Sequence, residues 1–152
     1  MKATGRSSDK VAQARRRSPS KAAAELEARA AQAREHAYAP YSKFHVGAAV
    51  QMNGHIFEGA NVENASYPLS VCAERNAIAA AIMAGAIHLE AVAVCTAASP
   101  PSAPCGACRQ VLTEFAADPK AVTVIAINPQ GERRQWTLAD LLPDAFSGKE
   151  LP

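Results

Sequence analysis

Two short cysteine stretches constrain the fold of this chain more than anything else in it: Cys72-Ala73-Glu74 and Pro104-Cys105-Gly106-Ala107-Cys108. Each opens a segment that reads as a helix. A helix N-terminus carries about half a positive charge and lowers thiol pKa values, so two helix starts facing one another favour ionised sulfurs. Cys105 and Cys108 stand three apart, and a first helical turn can present both to one ion. Cys72 then comes from a neighbouring helix. A fold that joins the two stretches has to set two helices side by side with their N-termini at one end.

The donor set points to zinc. A structural zinc usually takes four protein ligands, whereas a catalytic one takes three and leaves a position for water. Cys72, Cys105 and Cys108 supply three thiols, and His36, His45, His55 and His88 all lie outside both stretches. One zinc with an open position is expected. Glu74, so close to Cys72, is poorly placed as a fourth ligand and better placed to take a proton from a water and pass it on. Three thiolates and Zn²⁺ sum to −1, which opposes ionising that water. Arg75 and Arg109 are candidates to offset the charge by donating to the sulfurs. A Cys-x-x-Cys pair also serves in redox chemistry, but that use leaves Cys72-Ala73-Glu74 unexplained, and a structural zinc lacks a fourth ligand. Cys95 sits in an apolar run and reads as a small core residue.

The 152 residues fit one domain. Lys2, Arg6, Lys10, Arg15, Arg16, Arg17 and Lys21 stand against Asp9 alone, so a net charge of +2 conceals a basic tail on a slightly acidic body. Residues 1–19 read as a basic, disordered N-terminal tail, too poor in apolar groups to offset ordering entropy, and residues 20–152 as the folded domain. The body lacks the basic face of a nucleic-acid binder, so nucleic acid is not expected as a partner. No apolar run of about 18 residues exists, so no membrane span is expected. An apolar signal core is also missing near the N-terminus, and a cytoplasmic location follows as the expectation.

Periodicity and punctuation order the elements. A helix over Lys21–Ala37 begins after Ser18-Pro19-Ser20, with serine caps and an early proline, and stops before Pro40. Phe44, Val46, Ala48, Val50 and Met52 alternate as a strand does. Asn53-Gly54 is a strong hairpin signal leading to a strand over His55–Ala60. Helices follow at Cys72–Ala84, ended by Gly85, and at Cys105–Ala117. Leu89–Thr96 reads as a buried strand and Ala121–Ile127 as a central one. Glu132–Trp136 is a polar extended stretch, and Thr137-Leu138-Ala139-Asp140 resembles a capping box for a short helix ending at Pro143. This order gives an α/β sandwich with helices on a mixed sheet.

The Cys-Ala-Glu and Pro-Cys-x-x-Cys pair resembles the signature of zinc nucleobase deaminases. The likeness extends to Tyr38-Ala39-Pro40-Tyr41-Ser42-Lys43-Phe44, Asn61-Val62-Glu63-Asn64-Ala65-Ser66-Tyr67, Cys72-Ala73-Glu74-Arg75, Pro104-Cys105-Gly106-Ala107-Cys108-Arg109-Gln110 and Leu141-Leu142-Pro143-Asp144-Ala145-Phe146. Over roughly residues 21–150 the chain resembles the small cytidine deaminases, and Cys72 as first ligand resembles their short, homotetrameric three-cysteine branch. The resemblance implies a three-layer α/β/α sandwich with about five strands. It implies one Zn²⁺ per subunit on Cys72, Cys105 and Cys108, Glu74 as proton shuttle, and hydrolysis of cytidine or 2′-deoxycytidine to uridine or 2′-deoxyuridine and ammonia, in pyrimidine salvage. Asn61 and Glu63 would grip the ribose 3′-hydroxyl, since alternate residues of an extended segment point the same way. Phe44 would stack on the pyrimidine, and Ala65, Tyr67 and Ala73 would line the pocket. Phe146 would reach a neighbouring subunit's site. The alternatives are a relative acting on another aminopyrimidine nucleoside such as blasticidin S, a polynucleotide editor, and a zinc-stabilised binding module without turnover.

Overall fold

The computed structural model describes residues 20–151; the basic tail expected over 1–19 lies outside them. Helix α1 spans Lys21–Arg34, and the Ser20 hydroxyl caps it by accepting from the Ala23 amide at 3.2 Å. It stops short of the expected Ala37 because the amides of Glu35, His36 and Ala37 bond carbonyls three residues back, which tightens the helix into turns. Tyr38 then leaves to bridge Val62.

The strand expected from Phe44 begins only at Gly47, giving β1 (Gly47–Met52). The preceding polar groups are taken by a side chain: the Val46 amide donates to Asn61 Oδ1 at 2.8 Å, and Asn61 Nδ2 donates to the Phe44 carbonyl at 2.9 Å. Asn53 and Gly54 form the anticipated turn, with φ of 48° and 75°, and such paired positive angles match the twist of a hairpin. Strand β2 (His55–Ala60) returns antiparallel, Met52 opposite His55.

Helix α2 (Ala73–Met83) ends at Gly85, where φ is 82° and the Ala86 amide reaches back to the Ala81 carbonyl, closing the last turn. Strand β3 is Leu89–Cys95, helix α3 Gly106–Glu114, strand β4 Thr123–Ile127, strand β5 Arg133–Thr137 and helix α4 Leu138–Leu141. Thr137 and Asp140 form the capping box read from the sequence, with Asp140 N–H to Thr137 Oγ1 at 3.1 Å and Thr137 N–H to Asp140 Oδ2 at 2.9 Å. Single 3₁₀ turns at Tyr67–Leu69 and Gly148–Glu150 were not expected.

The sheet order is β2-β1-β3-β4-β5, with β3 and β4 parallel and the other neighbours antiparallel. The β-branched run β4 is therefore internal, one position off centre. Side chains alternate between two cores. Ala48, Val50, Met52, Val92, Val94 and Val124 pack against Ala77, Ile78 and Ala81 of α2, Leu112 of α3 and Leu138 of α4. Ala49, Ala93, Cys95 and Ile125 pack on the other face against Leu26 and Ala30 of α1. The result is the expected three-layer sandwich, and Cys95 is a core residue in it.

Two glycines set how closely helices approach the sheet. A β-carbon on Gly47 would stand 2.2 Å from the Ala30 carbonyl oxygen and the Arg34 nitrogen of α1. One on Gly59 would stand 2.3 Å from the Ala73 oxygen and 2.4 Å from the Ala77 nitrogen of α2. The start of α2 thus rests directly on β2, and Asn76 Nδ2 adds a bond to the Ala60 carbonyl at 2.8 Å.

Candidate metal centre and cleft

The parallel β3–α3–β4 unit carries the chain out of β3 at the sheet edge where α2 and α3 begin. Cys72 and Cys105 are the N-cap residues of α2 and α3, neither using its sulfur to cap, and Cys108 lies in the first turn of α3. Their three Sγ atoms lie within 4.8 Å of one another, the only such potential metal-holding cluster among the described residues. Cys72 and Cys105 sulfurs are 3.8 Å apart. A tetrahedral zinc with bonds of about 2.3 Å separates its sulfurs by about 3.8 Å, so the thiols fit this ion.

Their electrostatics are graded. The neighbouring Cys108 thiol, against the cost of burial, draws Cys72 down to about 5, with Arg75 and Cys105 adding to the effect. Cys108, beside Cys72 and buried, is held well above the usual thiol range. Arg75 Nη2 lies 3.7 Å from Cys72 Sγ and 3.1 Å from the Ser70 carbonyl. Arg109, expected to donate to the sulfurs, has other partners: Nε donates to the Pro104 carbonyl at 2.8 Å and Nη1 to the Leu141 carbonyl at 2.9 Å. Two backbone carbonyls take those donors, so Arg109 braces the segment before Cys105 against the end of α4.

Glu74, in the first turn of α2, is 4% exposed. Burial pushes its carboxyl above the ordinary glutamate value, the charge of Cys72 raises it further, and a hydrogen bond with Cys108 works the other way. Beside the thiols opens a cleft of about 590 Å³ whose lining includes Phe44, Asn61, Glu63, Tyr67, Cys72, Ala73, Glu74 and Cys105, a size usual for a small-molecule site. Phe44 is 43% exposed, so its ring faces the cleft and not the core. Ala65 is exposed and does not line the cleft, nor does Phe146, whose ring is 58% exposed. Tyr41, Ser42, Val94, Thr96, Ser102 and Ala103 complete much of the wall. Tyr41 and Ser42 fall in the 38–44 stretch quoted above, whereas nothing in the spacing of Val94, Thr96, Ser102 and Ala103 distinguishes them; loop closure and the end of β3 bring these in.

A three-layer α/β sandwich that converges three thiols on one point, next to a buried carboxyl and an open cleft, defines a metal-dependent enzyme centre with room for a non-protein ligand. Residues 20–125 match the family described as the cytidine and deoxycytidylate deaminase zinc-binding region, and the chain belongs to that family. A cytidine deaminase of Halalkalibacterium halodurans is 46% identical over 123 residues, spanning 80% of this chain and 92% of that one. The crystal structure of cytidine deaminase from Burkholderia pseudomallei matches with a TM-score of 0.76 at 50% identity, over 81% of this chain and 98% of that one. That of the Mycobacterium tuberculosis cytidine deaminase matches with a TM-score of 0.69 at 40% identity, over 81% and 95%.

Proposed function

We propose that residues 20–152 form one catalytic domain that hydrolyses cytidine and 2′-deoxycytidine to uridine and 2′-deoxyuridine, releasing ammonia, as a step of pyrimidine salvage. The observation that carries this reading is the buried Glu74 carboxyl next to three converging thiols in a nucleoside-sized cleft. In it Cys72, Cys105 and Cys108 hold one zinc, which when bound polarises a water and acidifies it.

The chain's own residues do the rest. Glu74 takes a proton from the attacking water and gives it to N3, then takes the proton of the new C4 hydroxyl and gives it to the departing ammonia. A carboxyl whose affinity for a proton is raised by burial suits a group that must both accept and donate one. Arg75 donates to Cys72 and spreads the negative charge of the sulfurs. The Phe44 ring stacks on the pyrimidine. Asn61 and Glu63 face the sugar, and Tyr67 and Ala73 close the pocket. Because Phe146 lies outside its own cleft, its exposed ring supports a homotetramer in which it enters a neighbour's site. Four free thiols support a reducing, cytoplasmic compartment, and no described helix is long and apolar enough to cross a membrane.

The test follows the loss of cytidine's ultraviolet absorbance in wild-type protein and in Glu74→Gln. Turnover by the wild type and a fall of at least about a hundredfold in kcat for the variant, with zinc content unchanged, are expected for loss of a proton shuttle. Near-normal turnover in Glu74→Gln, or an inert wild type with full zinc, would sink the reading.

A further inference from the structure

The polar atoms of Asn61 and Glu63 do more than face the cleft. Glu63 Oε2 accepts from the Tyr41 amide at 2.9 Å and the Ser42 amide at 3.2 Å, and Oε1 accepts from the Ser42 hydroxyl. The Ser42 oxygen in turn accepts from the Phe44 amide at 3.0 Å. Asn61 donates to the Phe44 carbonyl and accepts from the Val46 amide. Both backbone groups of Phe44 therefore end on this pair: the amide through Ser42 on Glu63, the carbonyl directly on Asn61. Immediately before Phe44, between Ser42 and the anchored amide, Lys43 has a φ of 59°, a conformation that a non-glycine residue keeps only where its surroundings enforce it. With the Phe44 ring nearly half exposed, core packing does not fix its direction, and the backbone anchors do.

We propose that Asn61 and Glu63 are positioning residues for Phe44, clamping the backbone on both sides of it so that its ring stands as a fixed wall for the base. This rests on the reading of the cleft as a nucleoside site. Asn61 then acts on catalysis through an aromatic ring as well as through any sugar hydroxyl, and its contribution survives in a substrate that lacks that hydroxyl.

The experiment compares Asn61→Ala and Ser42→Ala with wild type, using cytidine and 3′-deoxycytidine. Asn61→Ala is expected to lower kcat/KM on cytidine by about 10- to 100-fold, the scale of a misplaced contact, and by the same factor within about threefold on 3′-deoxycytidine. Added to Phe44→Leu it should cost less than about threefold more, because the two act through one ring. A loss confined to cytidine, no loss with either substrate, or losses that multiply in the double variant would overturn the proposal. Zinc content and thermal midpoint separate it from general damage. If Asn61→Ala does not fold, Ser42→Ala carries the same comparison, since it cuts only the link between Glu63 and the Phe44 amide. A wild type inert toward cytidine would instead remove the nucleoside reading itself.

Discussion

Glu63 releases its proton more readily than an ordinary glutamate, and the hydrogen bond from the Ser42 hydroxyl is the main cause, with the Tyr41 and Ser42 amides adding to it. A carboxyl with a lowered folded-state pKa stabilises the fold above its unfolded value, and that contribution fades as the pH falls through the folded value. The clamp on the 41–44 segment should thus be intact across neutral and mildly acidic pH. The thermal midpoint of wild type should exceed that of Glu63→Gln by a constant amount from about pH 8 to about pH 5, narrowing only below the ordinary carboxylate range of about 4.3. A gap already closing at pH 6 would contradict the assignment. Residue chemistry was also the most legible scale in the sequence. The thiols, Glu74 and Arg75 declare themselves because each occupies a fixed step of a helix start. Arg109 does not, because its neighbours in space, the carbonyls of Pro104 and Leu141, are set by where the loop and α4 fold back.

At the scale of elements, the metal centre depends on how deeply α2 beds onto β2. Gly59 permits that depth. Alanine there meets the Ala73 and Ala77 backbone, so α2 has to lift, at a cost of about 1–3 kcal/mol typical of overpacking, and it carries Cys72 and Glu74 with it. Gly131 offers the contrast: its φ is 83° and nothing lies within 4 Å of a β-carbon, so Gly131→Ala strains only a turn. Gly59→Ala should lose zinc as purified, while Gly131→Ala keeps it; equal zinc content in the two would show that α2 does not need this seat. Element boundaries follow the same logic. The expected ends of α1 and β1 missed by three residues each because Tyr38 and Asn61, remote in sequence or unreadable as partners, capture the backbone there.

For the whole molecule, the homotetramer proposed above turns on Phe146, whose ring is exposed in the single chain. Its carbonyl accepts from Gln110 Nε2 at 2.8 Å, which ties the C-terminal segment to the helix bearing Cys105 and Cys108 while the ring points outward. In a homotetramer, Phe146→Ala should lower kcat/KM by about tenfold, the scale of one lost aromatic contact. Mixed assemblies of Phe146→Ala and Glu74→Gln subunits should recover part of that activity, because a Glu74→Gln neighbour supplies the missing ring to a subunit that retains Glu74. No recovery in tetramers shown to be mixed by mass would remove the shared site.

The order of elements, the mixed α/β class, the three thiols and the adjacent carboxylate follow from the sequence alone, since periods of two and near four and fixed helical steps are local properties of the chain. The clamp of Asn61 and Glu63 on Phe44, the redirection of Arg109, the exclusion of Ala65 from the cleft and the seating of α2 on Gly59 came only with the tertiary structure. Each depends on which backbone groups distant segments bring within hydrogen-bond or contact distance, and that is decided by packing across the sheet.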